Sequence, residues 1–309
     1  MTATVRALLD YGIVRFEAAR ISYGHGTLNA LDEAAWIVLH ALGLAPRDLD
    51  SHLDRVLTAS EEKAARSLIE RRVKTRKPAA YLLHEAWLGP HRFYVDERVI
   101  VPRSFIAELL NQGQSGVRAG SEQGQTRVRA GSDPGLTPVS VLDLCTGSGC
   151  LAILAALAFP GATVDGADLS EDALAVAKRN VAEYKLEQRV RLAKSDLFSA
   201  LGGRTYDLIL SNPPYVKAAS MKTLPEEYRK EPRMALASGA DGLDHTRTII
   251  AEARAHLKPG GMLWVEIGHN RKALERAYPK LAFKWPRTSG GKGFVFEMKR
   301  EELPAPRRG

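Results

Sequence analysis

The residues best suited to chemistry form a short turn, NPPY at residues 212–215, which directly follows the apolar run YDLIL at residues 206–210. The run predicts a buried strand, but two consecutive prolines cannot continue it because each lacks a backbone N–H. Such a turn instead presents hydrogen-bond acceptors to a ligand. The side-chain oxygen of Asn212 and the carbonyl of Pro213 can together accept both hydrogens of an –NH₂ group on a planar centre, while Tyr215 packs against its plane.

This arrangement suits methylation of an amide or exocyclic amine nitrogen, which is a poor nucleophile because its lone pair is delocalised. Two acceptors favour a nitrogen whose developing lone pair points at a sulfonium methyl, so positioning and electrostatics do most of the catalysis. The proton can leave to water after the transfer, and no base is required. A structural Asn-Pro-Pro loop is the alternative, and a cofactor pattern earlier in the chain argues against it.

A glycine turn typical of a cofactor site lies in VLDLCTGSGC at residues 141–150. Glycines let the backbone pass close to a ligand and turn into a helix whose N-terminus offers free N–H groups. A dinucleotide site would carry G-x-G-x-x-G, whereas Gly147 and Gly149 are followed by Cys-Leu-Ala. Asp143 precedes the turn, and its negative charge suits the cationic amino group of a methionine moiety better than a diphosphate.

Two further carboxylates follow the next predicted strands. Asp168 comes 19 residues after Gly149, a spacing that suits a carboxylate binding ribose hydroxyls. Asp196 is placed to meet the adenine amino group, with Leu197 and Phe198 to pack on the ring. Each aspartate alone can be a cap or a loop residue. Three at the ends of successive strands, with the glycine turn, favour S-adenosylmethionine, with S-adenosylhomocysteine as product, over a nicotinamide cofactor.

A sheet is needed to bring these residues together. From residue 139 onward, predicted strands alternate with helices, which indicates an α/β fold with a mostly parallel sheet and helices on both faces. Ligands bind outside the carboxyl ends of the strands in such a sheet. The predicted helices cover residues 151–157, 170–184, with Ser170 as N-cap, and 246–256. The predicted strands cover residues 139–144, 162–164, 190–192, 208–210, 262–266 and 294–296, the last as a candidate antiparallel strand.

The chain divides into five predicted parts. Residues 1–78 form a small helical domain, because apolar residues recur at helical spacing. Residues 79–110 form a linking β-hairpin, with strands at 87–95 and 98–101. Residues 111–138 lack large apolar side chains and hold a near repeat offset by 11 residues, which favours a flexible low-complexity insertion over an RNA-binding arm. A methyl-transfer domain at 139–300 and a basic tail at 301–309 complete the chain.

Composition indicates an ordinary globular protein. The 309 residues carry a net charge of +8, mostly from the second half of the chain, and no stretch approaches the roughly 18–20 apolar residues of a membrane span. We therefore expect a cytoplasmic protein without a membrane partner. Two cysteines in one motif, Cys145 and Cys150, argue against a disulfide framework or a metal site. A basic cluster suits ribosomal RNA contact, although a solvated helix face explains it equally well. Its members are Arg71, Arg72, Lys74, Arg76 and Lys77.

The two motifs together resemble the glutamine side-chain N5-methyltransferases, the group that modifies release factors and one ribosomal protein. The stretches PRS at 102–104, EPRMALASGADGL at 231–243 and VEIG at 265–268 also resemble that group. The resemblance covers nearly the whole chain except residues 111–138 and the tail after about 300. It implies a Rossmann-like class I S-adenosylmethionine-dependent methyltransferase domain, joined to a small N-terminal helical domain that recognises the protein substrate.

The resemblance also implies which residues line the sites. The substrate glutamine is held by Asn212, Pro213, Pro214 and Tyr215. The cofactor site is lined by Cys145, Thr146, Gly147, Ser148, Gly149, Asp168 and Leu197, to which Asp143, Asp196 and Asn212 are added.

Within this group, the chain is more similar to the branch that acts on large-subunit ribosomal protein L3, either free or in an assembling subunit. The features are YGHGT at 23–27, FYVDERVIVPRS at 93–104, and Cys145 where the release-factor branch usually has glycine. The chain lacks the proline often found at Ser104-Phe105, and it carries an insertion before the first strand, so entry to the site can differ.

Other functions remain open. Release factors are the alternative substrate. Adenine-N6 DNA methylation uses the same Asn-Pro-Pro-Tyr chemistry, but it needs a target-reading module and a pocket for a flipped base, which the nearly neutral first hundred residues do not suggest. A non-catalytic protein docking on ribosomal RNA is disfavoured by the intact Asn212, Asp143 and Asp168. His25, between two glycines, favours a loop or interface role over that of a base, and Cys145 favours packing over nucleophilic attack.

Overall fold

Helices come first along the chain and an α/β sheet follows. The computed structural model describes residues 3–45, 48–115 and 139–305. The side chains of Thr4, Asn29 and Thr58 each accept a backbone N–H and so begin a helix. The amino-terminal helices are α1 (Val5–Ala18), α2 (Ala30–Ala41), α3 (Leu49–His52), α4 (Ala59–Thr75) and α5 (Ala79–Leu83). None of the helices in the described ranges is long and apolar enough to cross a bilayer.

A short hairpin links the helices to the sheet. It consists of β1 (Ala86–Leu88) and β2 (His91–Phe93), paired antiparallel. The second predicted strand, at residues 98–101, is wrong. Val99 and Val101 are buried, but the Val101 N–H donates to the carboxylate of Glu231 at 3.0 Å rather than to a neighbouring strand. The segment is therefore an extended link held by a side chain.

The predicted start of the insertion at residue 111 is wrong, because helix α6 (Ile106–Ser115) continues through that position. Ile106 and Leu110 of this helix pack in the core beneath it. Both units of the near repeat, at residues 117–122 and 128–133, lie outside the described residues, as do the last four residues of the predicted basic tail.

The central sheet confirms the mostly parallel α/β prediction. Its six strands lie in the order β10-β7-β6-β3-β4-β5, and only β10 runs antiparallel. The predicted N-cap is also confirmed, since Ser170 accepts the Ala173 N–H at 3.2 Å. The strands are β3 (Ser140–Leu144), β4 (Thr163–Asp168), β5 (Val190–Lys194), β6 (Tyr206–Ser211), β7 (Leu257–Glu266) and β10 (Val295–Lys299), with a small pair β8 (Arg287–Thr288) and β9 (Gly291–Lys292). The helices are α7 (Cys150–Ala158), α8 (Glu171–Glu183), α9 (Asp244–Glu252) and α10 (Arg271–Ala277).

Apolar cores lie on both faces of the sheet. Consecutive strand residues point to opposite faces, so Val141 joins a core with α6 and α7, while Leu142 joins one with α9 and α10. A third core holds the amino-terminal helices together and extends onto Ala173 and Val176 of α8. The amino-terminal helices therefore pack directly on the part of the molecule that carries the sheet.

One arginine is buried completely among the amino-terminal helices. Arg72 of α4 is 0% exposed; it donates to Glu33 Oε1 at 2.5 Å and lies 3.5 Å from Glu227 Oε1. Glu33 in turn accepts the Thr27 hydroxyl at 2.7 Å. Since a charge in the interior is tolerated only when paired, Arg72 fixes the position of two acidic residues from separate parts of the chain.

We expect Arg72→Met to lower the free energy of unfolding by about 3–5 kcal/mol, because Glu33 would remain buried without its cation and Glu227 would keep only Arg76. Urea denaturation followed by circular dichroism measures the change. Arg71→Met, on the exposed face of the same helix, is the matched control and should stay within about 0.5 kcal/mol. Equal losses in the two variants would contradict the assignment.

Candidate active site

The two predicted motifs lie side by side in the structure. Leu144, the last residue of β3, pairs with Ser211, the last residue of β6, and the Ser211 hydroxyl donates to the Leu144 carbonyl at 2.9 Å. Chain order reverses between these two strands, because β4 and β5 extend the sheet on one side and β7 extends it on the other. Residues 145–149 and 212–215 thus leave the sheet at its topological switch point, where open α/β sheets bind ligands.

The glycine turn has a left-handed backbone at three positions, Cys145 (φ 59°), Gly147 (φ 54°) and Gly149 (φ 79°). A Cβ on Gly149 would lie 3.1 Å from that of Ala177, so glycine allows close packing on α8. A Cβ on Gly147 would have no heavy atom within 4 Å, which leaves this side of the turn open. Cys145 adopts the strained conformation with a side chain, and burial raises the pKa of its thiol, which does not suit a nucleophile.

Asp143 lies beneath the turn rather than facing a ligand, contrary to the sequence expectation. Its carboxylate is 0% exposed; Oδ2 accepts the Thr146 hydroxyl at 2.6 Å and the Ala152 N–H at 2.9 Å, while Oδ1 has no hydrogen-bond partner among the described residues. Burial raises its pKa to about 7, although both donors oppose the rise. Asp143 therefore holds the turn in place from below.

Asp168 holds the turn from the side. One carboxylate oxygen accepts the Gly147 N–H at 2.8 Å and the other accepts the Ser170 N–H at 2.9 Å. Ser148 is buried, and its carbonyl accepts the Asn180 side chain of α8 at 2.8 Å. The structure thus brings the predicted residues of the turn and Asp168 together.

Of the three residues predicted to bind the adenine, Phe198 lies apart from Asp196 and Leu197. Asp196 is exposed, and Leu197 is buried with a left-handed backbone (φ 47°). Phe198 does not face this site, because its ring stacks on His256 at a centroid distance of 4.6 Å. A cavity of about 500 Å³ opens between this segment and α9. The sequence did not indicate that α9 lines this cavity. Its lining comprises Asp196, Leu197, Ser199, Asp244, His245, Thr248 and Glu252. Across the described ranges, no three acidic, histidine or cysteine residues are placed to hold a metal ion.

Asn212 presents the acceptor that the motif predicts. Its side-chain Oδ1 is buried and accepts no hydrogen bond from any described residue. A buried acceptor without a donor is costly, so this oxygen is suited to an N–H group from a ligand. Pro213 and Pro214, which follow, are buried.

Tyr215 is fixed from two sides. Its carbonyl accepts the Asn270 side-chain N–H at 2.7 Å, and its ring lies so close to Gly268 that a Cβ there would be 2.7 Å from Cε2. Burial raises the pKa of the Tyr215 hydroxyl, so the ring is neutral at physiological pH. The next residue, Val216, donates to the Leu236 carbonyl at 2.8 Å and accepts from Ser238 at 2.9 Å, which attaches the turn to residues 236–238.

The sequence did not identify the partly buried Arg103 or the buried Glu231 and Glu266, which surround Tyr215, as functional residues. Arg103 donates to both oxygens of Glu231 at 2.6 Å. Glu266 accepts the Ser104 hydroxyl at 2.7 Å and the Phe105 N–H at 2.9 Å, and burial raises its pKa to about 7. The signal in the sequence was a charged residue at the end of an apolar strand or inside an apolar stretch, as in VEIG and VPRS.

Three of the five residues of the predicted basic cluster are buried or form ion pairs within the protein. Arg72 is buried, Arg76 pairs with Glu227 at 2.7 Å, and Lys77 pairs with Glu97. Of the five residues, only Arg71 and Lys74 are exposed. An RNA-binding patch would therefore rest on two of the five predicted cations.

Known proteins are similar to this chain over nearly its whole length. Family models for a methyltransferase small domain and for a PrmC N-terminal domain match residues 135–240 and 8–83. A ribosomal protein uL3 glutamine methyltransferase of Neisseria meningitidis serogroup B is 52% identical, covering 97% of this chain and 94% of the relative. The corresponding enzyme of Burkholderia pseudomallei is 52% identical (98% and 96% covered). A solved ribosomal protein L11 methylase from Lactobacillus delbrueckii subsp. bulgaricus gives a TM-score of 0.41 at 19% identity, covering 66% of this chain and 82% of that one.

We expect the stability of Asp143→Asn to depend less on pH than that of the wild type. The folded-state pKa of Asp143 is raised from 3.8 to about 7, so the protonated form stabilises the fold below the ordinary value, and that stability is lost as pH rises through about 7. Denaturation at a series of pH values measures this difference. Between pH 3.8 and about 7, the free energy of unfolding should fall more steeply with rising pH for the wild type than for Asp143→Asn. Parallel curves would show that Asp143 does not titrate there. Glu266, whose pKa is also raised, contributes to both proteins alike.

We expect Gly268→Ala to lower kcat/KM by ~10- to 100-fold, because the new Cβ displaces the Tyr215 ring and misplaces the substrate. Gly260→Ala is the matched control, since Gly260 also has a positive φ (75°) but a Cβ there meets no atom within 4 Å. It should cost roughly 1–2 kcal/mol of stability and leave the kinetics unchanged. Similar kinetics in both alanine variants would rule out the steric contact.

Proposed function

We propose a function for this chain from one premise: it belongs to the family of ribosomal protein uL3 glutamine methyltransferases. It transfers a methyl group from S-adenosylmethionine to the side-chain amide nitrogen, N5, of a glutamine in ribosomal protein L3 (uL3). S-adenosylhomocysteine is the second product. The observation that carries this function is the buried, unpartnered Oδ1 of Asn212 at the switch point of the sheet.

The residues present fit S-adenosylmethionine. The side of the turn at Gly147 is open, Asp168 stands beside it at the end of β4, and Leu197 borders a cavity large enough for part of a nucleoside. When bound, this cofactor supplies an electrophilic methyl on a sulfonium sulfur. In the proposed site the backbone of residues 145–149 approaches the methionine moiety, Asp168 binds the ribose hydroxyls, and Asp196 with Leu197 meets the adenine.

The proposed role of the NPPY turn is to orient the substrate amide. Asn212 Oδ1 and the Pro213 carbonyl accept the two amide hydrogens, and the neutral ring of Tyr215 lies against the amide plane. Pro214 holds the turn rigid because its φ is fixed. Two oriented acceptors stabilise the positive charge that develops on the nitrogen, and they cost no reorganisation because Tyr215 and Val216 already anchor the turn. The proton then leaves to water.

The amino-terminal helices are proposed to recognise the protein substrate. They pack on α8 through Ala173 and Val176, so they stand in a defined position relative to the turn that Asp168 and α8 support. Ribosomal protein L3 is the proposed partner, free or in an assembling subunit. Contact with ribosomal RNA would use Arg71 and Lys74, the exposed members of the basic cluster.

The predicted boundary at residue 78 falls before α5 (Ala79–Leu83), which packs in the core of the amino-terminal helices. We therefore place the end of the helical domain after α5, and the link that contains the β1–β2 hairpin extends from there to α6. The methyltransferase domain extends from β3 to residue 300.

The test uses isotope-labelled S-adenosylmethionine, purified protein, and an extract whose ribosomal proteins and release factors were made without endogenous glutamine methylation. We expect mass spectrometry to place one methyl on a glutamine of ribosomal protein L3. Asn212→Ala should lower the rate by ~100- to 1000-fold, the effect of losing one oriented polar group at a developing charge.

Cofactor binding and the unfolding curve of Asn212→Ala serve as controls, and both should remain close to those of the wild type. Label on a release factor would refute ribosomal protein L3 as the substrate. Label on DNA adenine would refute protein glutamine as the class of substrate. Undiminished transfer by the variant would refute the mechanism.

A further inference from the structure

The structure assigns Glu231 as a positioning residue: with Arg103 it holds the amino-terminal helices and the link after the hairpin against the substrate pocket at Tyr215. This role deepens the proposed function and rests on it, since it connects the region proposed to recognise the protein with the turn proposed to hold its glutamine. Neither the motifs nor the fold alone gave Glu231 a role.

The carboxylate of Glu231 is the point where the link segment is fixed. Glu231 is 4% exposed, and it accepts both Arg103 N–H groups at 2.6 Å and the Val101 N–H at 3.0 Å. Burial is the largest single influence and would raise the pKa of Glu231, but the charge and hydrogen bonds of Arg103, together with the neighbouring His25, outweigh it and lower the pKa to about 2. The residue is therefore an ionised acceptor that holds residues 101–103 in their extended conformation.

The same pair lies beside the substrate pocket. The charges of Arg103 and Glu231 both act on the Tyr215 hydroxyl, the first lowering its pKa and the second raising it. Glu231 also begins the stretch whose residues 236–238 pair with Val216, directly after Tyr215. A displacement of Glu231 is thus transmitted to Tyr215 both through space and along the backbone.

The amino-terminal region reaches the pair through His25. This residue is 1% exposed; its Nε2 lies 3.6 Å from Glu231 Oε2, and its ring packs on Tyr228 at a centroid distance of 4.2 Å. The Tyr228 hydroxyl donates to the Tyr23 carbonyl at 3.2 Å. A Cβ on Gly24 (φ 114°) would collide with that hydroxyl, so glycine is required for the loop to receive it.

Glu231 is thereby surrounded by three parts of the chain: the loop at residues 23–27, the link at 101–103, and the stretch that follows the NPPY turn. The buried ion pair has fixed bidentate geometry, which suits holding segments in register. A substrate bound to the amino-terminal helices is then presented to Asn212 at a set distance and angle.

The experiment compares Glu231→Ala with Glu231→Gln and Asp96→Asn in steady-state methylation of ribosomal protein L3, per folded molecule. We expect Glu231→Ala to lower kcat/KM by ~10- to 100-fold, with part of the loss in kcat. Glu231→Gln keeps one acceptor oxygen for Val101 and Arg103 but loses the charge and the second acceptor, and should therefore recover only part of the rate. Asp96→Asn is the matched control, because Asp96 forms another carboxylate–arginine pair of the link, with Arg98.

A second readout does not need the substrate. In hydrogen exchange, Glu231→Ala should increase exchange both at the Val101 amide and in residues 23–27, whereas Asp96→Asn should leave residues 23–27 unchanged. Arg103→Lys, which keeps the charge but cannot bind bidentately, should show a smaller change of the same kind and serves if Glu231→Ala does not fold.

The inference is overturned if Glu231→Ala keeps the wild-type kcat/KM, if Asp96→Asn is equally impaired, or if exchange in residues 23–27 does not change. A wild-type protein that fails to methylate ribosomal protein L3 would instead contradict the proposed function, and the hydrogen-exchange result would still decide the role of Glu231.

Discussion

The pairing of β3 with β6 is the constraint on which the rest of the molecule depends. It places the ends of two strands 67 residues apart in the chain next to each other, with the Ser211 hydroxyl bonded to the Leu144 carbonyl. The glycine turn and the NPPY turn must then leave the sheet side by side. Because β4 and β5 continue to one side and β7 to the other, none of the described strands covers this crevice, and the loops that border it can carry side chains for binding.

Three buried carboxylates hold the loops of this crevice, and their pKa values differ for one physical reason. Asp143 and Glu266 accept only neutral N–H and O–H donors, so the cost of burying the charge dominates and raises both pKa values to about 7. Glu231 faces the guanidinium of Arg103, whose charge and hydrogen bonds, together with the neighbouring His25, outweigh burial and lower the pKa to about 2. Of these three carboxylates, the one paired with a cation is thus the one that remains charged across the physiological range.

The sequence predicted the elements well because their signals are local. The strand and helix pattern from residue 139 onward, the Ser170 cap and the two turns depend on side-chain periodicity and on glycine and proline, which act within a few residues. Prediction from the sequence failed where the direction of a side chain or of a backbone N–H depends on a partner that is distant in the chain. Asp143 turns inward because the Ala152 N–H lies behind it, Phe198 faces His256, and residues 98–101 form no strand because Val101 donates to Glu231, 130 positions later. Arg72 looked like one member of a surface cluster, since nothing in its neighbourhood identifies Glu33 or Glu227 as its partners.

Apolar contacts and ion pairs between the amino-terminal region and the rest of the chain have different effects. Ala173 and Val176 join the apolar core of those helices, and apolar contact is non-directional, so it supplies stability without fixing an angle. The ion pairs of Arg72 and Arg76 with Glu227, and of Arg103 with Glu231, have defined directions and distances. Buried ion pairs contribute little net stability compared with apolar packing of the same volume, so their presence at this contact is better explained by geometry than by stability. A methyltransferase that must align a whole protein with an acceptor only a few ångströms wide needs that geometry.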